Sequence, residues 1–94
     1  MIRSYRDRRT QHFASGGRVP AFQAFAKQAE KRLETLDAAE SLQDLRVLRR
    51  NRLEALRGDR EGQFSIRINS QWRICFEWPT GHDGPSNVEI TDYH

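Results

Sequence analysis

Between Phe64 and Trp78 apolar and polar residues alternate with a period of two, and no other stretch constrains the fold as strongly. Phe64, Ile66 and Ile68 are interleaved with Ser65, Arg67 and Asn69; Trp72, Ile74, Phe76 and Trp78 are interleaved with Arg73, Cys75 and Glu77. Two such runs joined by Asn69-Ser70-Gln71 predict an antiparallel β-hairpin with one buried face. Cross-strand partners share a face, so apolar must oppose apolar and the numbers of paired residues must sum to an even value. A two-residue loop would set Ile68 against Arg73 and mix the faces. A three-residue loop pairs Ile68 with Trp72, Arg67 with Arg73 and Ile66 with Ile74. Two arginines then stand directly opposite each other on the wet face, which is destabilising by a few tenths to ~1 kcal/mol. A polyanion seated between them would relieve that cost; the alternative is two solvated arginines splayed apart.

The rest of the chain supplies layers for this hairpin to pack on. Met1–Tyr5 is a short candidate strand, and Arg6–Ser15 a candidate helix ended by Gly16-Gly17, where glycine provides the left-handed residue past the last turn. From Pro20 onward Phe22, Phe25, Ala26, Ala29, Leu33 and Leu36 recur at steps of three or four, with Lys27, Glu30, Lys31 and Glu34 opposite. That pattern predicts a helix of about four turns lying on the sheet. Ser41 with Asp44 resembles a capping box before a second short helix carrying Leu42 and Leu45. A basic connection, Arg46–Arg52, leads to a candidate strand over Leu53–Arg57 and a turn over Gly58–Gly62. After a Gly/Pro loop at 79–85, the last strand, Asn87–Tyr93, sets Val88 and Ile90 toward the core and Glu89, Thr91 and Tyr93 opposite. The expected fold is α+β: a small, twisted, mostly antiparallel sheet with two or three helices on one face, in one domain spanning 1–94.

Charge narrows the partners. The chain has a formal net charge of +3, and its 16 cations include only two lysines, Lys27 and Lys31. Arginine offers a planar fork of donors suited to bidentate phosphate contacts, although a GC-rich genome also enriches it. The distribution is more telling than the total. Residues 46–73 carry eight arginines against Glu54, Asp59 and Glu61, whereas residues 74–94 carry no Lys or Arg but four acidic residues. Such clustering is an electrostatic footprint for nucleic acid. No apolar run reaches a membrane span and no signal-peptide core follows Met1, so no membrane partner and a cytoplasmic location are expected. Cys75 is alone and forms no intramolecular disulfide.

No metal-ligand spacing, P-loop or dinucleotide fingerprint is visible, and no cofactor is expected. His12 reads as a partly exposed helix residue, His82 as a solvated loop residue, and Arg57-Gly58-Asp59 as ordinary turn chemistry. What remains is an arginine-rich face with a Tyr, a His, an Asp and a Glu close by. That set suffices for metal-free RNA cleavage, which needs a base for the 2′-hydroxyl, an acid for the leaving 5′-oxygen and positive charge on the phosphorane. Histidine suits either proton role at neutral pH, tyrosine can donate a proton or be lowered by flanking arginines, and arginine supplies the electrostatic term. From the residues themselves an enzyme, a nucleic-acid binder and a protein-interaction domain all stay open.

The segments MIRSY, LETLDAAESLQDL, NRLEALRGDREGQFSIRINSQWRICFEW and NVEITDYH together resemble the plasmid-maintenance killer proteins, the HigB branch of the RelE/ParE toxin superfamily. The resemblance spans nearly the whole chain. It implies a RelE-like fold and a ribosome-dependent mRNA endonuclease of a toxin–antitoxin operon, which cuts mRNA in the A site of the 70S ribosome by 2′-hydroxyl attack. It also implies a cognate HigA-like antitoxin with a helix-turn-helix domain. Carried over by residue, Arg73 becomes a phosphate and transition-state contact, and Asp92, Tyr93 and His94 the catalytic C-terminal cluster. Arg57 stands where relatives often have lysine, and Glu54 where many have a histidine, a weaker base replacing a better one. Arg60, in the turn, is assigned with Arg57 to phosphate binding, and Arg67 joins them because the hairpin register sets it beside Arg73. A ParE-like poison of a protein target and a non-catalytic ribosome- or RNA-binding module are the alternatives.

Overall fold

The structure, a computed structural model, describes residues 1–92. Three helices, α1 (Arg8–Ala14), α2 (Ala26–Ala38) and α3 (Leu42–Arg46), precede four strands, β1 (Glu54–Ala55), β2 (Gln63–Arg67), β3 (Arg73–Glu77) and β4 (Ser86–Thr91). The strands form one antiparallel sheet in sequential order, so the fold is α+β as expected. The hairpin has the register that parity required: Phe64 opposes Phe76, Ile66 opposes Ile74, and Arg67 opposes Arg73. Ile68 N and Asn69 N both donate to Trp72 O, at 3.0 and 3.2 Å, closing the turn. The Asn69 side chain completes it by accepting from the amides of Gln71 and Trp72 at 2.8 and 2.7 Å.

The core lies between the even-numbered face of the hairpin and the helices. Ile66, Ile74, Phe76, Val88 and Ile90 are fully buried there with Phe22, Ala29, Leu36 and Leu45. In α2 the buried positions are Ala29, Leu33 and Leu36, the apolar stripe read from the sequence. Thr10 is buried in α1, and its Oγ1 accepts from Ile90 N at 3.1 Å and so ties that helix to β4.

Three elements differ from expectation. The stripe beginning at Pro20 is not one helix: residues Pro20–Phe25 wind as a 3₁₀ turn, and the α-helix starts only at Ala26. Three residues per turn bring Phe22 and Phe25 onto the same side, where both meet Trp72, with centroids 5.7 and 4.9 Å away. Met1–Tyr5 does not become a full strand. It runs alongside β4 through a parallel bridge between Tyr5 and Val88, with Arg3 N donating to Pro85 O and Arg6 N to Val88 O. The Leu53–Arg57 strand shortens to Glu54–Ala55; Leu56 N still donates to Gln63 O at 2.9 Å before the Gly58–Arg60 turn.

The Ser41 cap forms, with Asp44 on both sides of it. Ser41 Oγ accepts from Asp44 N at 3.4 Å, while Asp44 Oδ2 reaches back to Glu40 N at 2.8 Å, one residue further than in a capping box. A bulge separates Cys75 and Glu77 in the β3–β4 pairing, and Asn87 takes φ 52° there. The shift is confined to the start of β4; past it Glu89 and Thr91 stand opposite Cys75 and Arg73 on the polar face, the phase expected from alternation.

Candidate active face

The polar face of the sheet, odd-numbered in β2 to β4 and even-numbered in β1, carries two polar rows. Glu54, Ser65, Cys75 and Glu89 are successive cross-strand neighbours, and beside them run Arg67, Arg73 and Thr91. Ser65 and Cys75 are buried, yet neither belongs to the apolar core. They lie on the opposite face, with charged side chains around them.

Arg73 is the most constrained of these. Its Nε donates to Ser65 Oγ at 2.7 Å, and its Nη2 donates to Arg52 O at 2.6 Å and Ser65 O at 3.4 Å. The guanidinium is thus drawn diagonally across β2, which separates it from Arg67 in spite of their direct opposition. Nη1 makes no hydrogen bond among the described residues. Arg67 keeps its whole guanidinium uncommitted among them, while its carbonyl accepts from Arg32 Nε at 2.9 Å. One arginine is therefore held rigidly by its inner edge and the other is free to close on a ligand. A donor fixed before the charge arrives needs no reorganisation when it does.

The remaining predicted residues are distributed around this pair. Glu54 is exposed on β1, opposite Ser65. Arg57 is exposed just before the Gly58–Arg60 turn. Arg60 is half-buried and already engaged: its Nη1 lies 3.1 Å from both Gln63 Oε1 and Glu89 Oε1. Its charge is therefore partly neutralised within the protein, unlike that of Arg57 or Arg67. Asp92 Oδ2 accepts from Gln71 Nε2 at 3.1 Å, which ties the residue after β4 to the hairpin loop. Tyr93 and His94 lie outside the described residues.

Cys75 sits under this layer. Burial pushes its thiol up to about 11, and Glu89 adds to the rise, whereas Arg60, Arg73 and Arg6 oppose it. The sulfur is a neutral, space-filling group at physiological pH, not a nucleophile. Glu89, which bonds Arg60 and lies 3.9 Å from Arg6 Nε, was not assigned a role from the sequence, nor was Ser65. Both could have been found by parity, because each shares a face with Arg73. The Arg52 carbonyl carried no such signal. Arg52 adopts a left-handed φ of 45°, a backbone choice that arginine does not advertise.

Among the described residues no group of three or more His, Cys, Asp or Glu side chains is placed to hold a metal. No helix among them is long and apolar enough to cross a membrane. The face as described can therefore bind and polarise a phosphate through arginine, and it places two carboxylates, Glu54 and Asp92, at its margins.

Comparison with known proteins identifies the family. Toxin HigB-1 of Vibrio cholerae serotype O1 (strain ATCC 39315 / El Tor Inaba N16961) is 47% identical over 51 residues, 54% of this chain and 54% of its own length. Endoribonuclease HigB of Proteus vulgaris is 38% identical over 63 residues, 67% of this chain and 65% of its own. The matched segments thus span between about half and two thirds of these curated relatives. A family profile described as "RelE-like toxin of type II toxin-antitoxin system HigB" matches residues 3–94. This chain belongs to the HigB-like toxin family.

Proposed function

We propose that this protein is the toxin of a type II toxin–antitoxin pair and acts as a ribosome-dependent mRNA endonuclease, cutting in the A site by 2′-hydroxyl attack. The observation that carries the reading is Arg73, anchored through Nε and Nη2 to Ser65 and Arg52 with Nη1 left over, beside the uncommitted Arg67. The Proteus relative is named an endoribonuclease, and the family is one of toxins.

In this reading Arg73 holds the scissile phosphate and stabilises the charge that grows on its non-bridging oxygens. Arg67 and Arg57 hold the adjoining backbone, and Arg60 contributes by orienting that layer through Glu89 as well as by its charge. The proton transfers fall to the C-terminal cluster: Tyr93 and His94 as acid and base, with Asp92 orienting them, and Glu54 as a weak auxiliary base. Each such group typically supplies ~10²–10⁴-fold. Arginine carries the electrostatic work, so the scheme calls on no cofactor. The partners are the 70S ribosome with its mRNA and a HigA-like antitoxin, and the site of action is the cytoplasm.

The test is growth arrest on expression. Arg73→Ala, Tyr93→Phe and deletion of His94 should each relieve it while the soluble yield and the far-UV circular dichroism stay those of the parent. Full toxicity in all three variants sinks the assignment.

A further inference from the structure

The Arg73 anchor comes from a segment with a charge pattern of its own. Residues 46–52, Arg-Val-Leu-Arg-Arg-Asn-Arg, begin at the last residue of α3 and close as a 3₁₀ turn over Arg49–Asn51. Arg46, Arg49, Arg50 and Arg52 are all exposed, and none makes an ion pair among the described residues. No Asp or Glu occurs between positions 45 and 53.

This is not a loose basic tail. Asn51 is fully buried, and its Nδ2 donates to Leu45 O at 3.0 Å. Asn51 N and Arg52 N donate to Leu48 O and Arg49 O, at 3.0 and 3.1 Å. Two costs are built into the same turn. Arg52 takes the left-handed φ of 45°, and Asn51 Oδ1 is buried without a hydrogen-bond partner among the described residues. Costs of this kind mark a segment held in one shape by its surroundings. Val47 and Leu48, 64% and 39% exposed, sit between the arginines.

The segment also joins the active face at two points. Arg52 O receives Arg73 Nη2, and Arg50 is close enough to Arg32 to lower that guanidinium's pKa, second to burial, while Arg32 Nε bonds Arg67 O. The basic segment is therefore tied to both strands of the hairpin, to β3 through Arg52 O and Arg73 and toward β2 through Arg50 and Arg32. Unpaired cations crowded on a rigid support repel one another, and a row of phosphates is the ligand that relieves this along its whole length.

We infer that Arg46, Arg49 and Arg50 form a second RNA-backbone contact, outside the cleavage site, that grips a structured RNA strand flanking the one being cut. The inference rests on the RNA-directed reading above and adds to it a separate docking surface.

Sedimentation with vacant 70S ribosomes, at salt concentrations from about 50 to about 200 mM, tests it. Arg46→Gln, Arg49→Gln and Arg50→Gln together should weaken association by about tenfold or more and lower the slope of log K against log salt by ~2–3. The three corresponding lysine substitutions should restore both, because a phosphate contact needs charge more than shape. Arg73→Ala, assayed in parallel for mRNA cleavage, reports on the catalytic reading separately. A glutamine variant that keeps the parent's affinity and slope overturns the second surface, even where Arg73→Ala abolishes cleavage. So does a lysine variant that fails to restore binding, or a glutamine variant that loses only its hold on the antitoxin. A parent protein with no salt-dependent ribosome binding overturns both readings.

Discussion

The two faces of the β2–β3 hairpin are built from the same ten backbone positions and solve different problems. On one, Ile66, Ile74 and Phe76 are fully buried against helices and against each other, and no polar atom has to be satisfied. On the other, Ser65 and Cys75 are just as inaccessible, but Arg73 bonds Ser65 and the charges of Arg60, Arg73 and Glu89 act on the Cys75 thiol. The first face earns stability through area removed from water. The second spends part of it to keep a guanidinium in one place. Burial alone, then, does not tell core from site in a domain this small; the partners of the buried atoms do.

The sharpest way to separate the faces is to empty one position on the dry side. Phe76→Ala removes a fully buried ring in contact with Phe64 and Trp78, with centroids 6.1 and 6.5 Å away. It should cost about 3–5 kcal/mol, and urea unfolding would read it as a large drop in midpoint. Activity would fall only in proportion to the folded fraction. A Phe76→Ala protein as stable as the parent would mean that the two faces are not divided as described.

The next effect lies beneath the charged layer. Because the Cys75 thiol is raised to about 11 from its ordinary 9.0, the folded state holds the proton more tightly than the unfolded chain. The associated stability is complete below pH 9 and is lost as pH rises toward 11, by about 2–3 kcal/mol in total. Comparing urea midpoints of the parent and Cys75→Ala at pH 7 and at pH 10.5 isolates this residue from the tyrosines and lysines that titrate nearby. The gap between the two proteins should narrow at the higher pH. A gap that stays constant would show that the thiol is not desolvated.

The smallest effect concerns the anchor. Ser65→Ala removes the hydroxyl that accepts from Arg73 Nε and should leave the fold almost unchanged, at a cost of about 1 kcal/mol. Single-turnover cleavage should slow by roughly tenfold, since the guanidinium keeps its charge and its bond to Arg52 O but loses one restraint. Unaltered cleavage would mean that Arg73 does not need to be held.

Much of this was legible before any coordinates. Parity alone placed Arg67 opposite Arg73 and sent Phe64, Ile66 and Ile74 to one face, because a strand has only two sides and a register slip inverts both. The helix stripe in Ala29, Leu33 and Leu36 was equally plain. The 3₁₀ turn at Pro20–Phe25 was not, since spacings of three fit both helix types and only contact with Trp72 decides between them. At the site, residue types pointed to phosphate chemistry and the resemblance named the C-terminal cluster. Main-chain partners such as Arg52 O left no trace, because a carbonyl is the same whichever side chain it belongs to. Alternation put Glu89 on the polar face, but nothing in the strand pattern said that Arg60, from the turn before β2, would reach across to it.

The central claim is that the polar face cleaves mRNA on the ribosome through Arg73, and mapping of mRNA 5′ ends tests it most directly. Parent and Arg73→Ala proteins would be supplied to a translation reaction with and without active ribosomes. New 5′ ends within codons should appear with the parent only when ribosomes translate, and the Arg73→Ala protein should produce them at least about 10²-fold more slowly. Ribosomes stalled with no new 5′ ends, or equal cutting by the two proteins, would contradict the account.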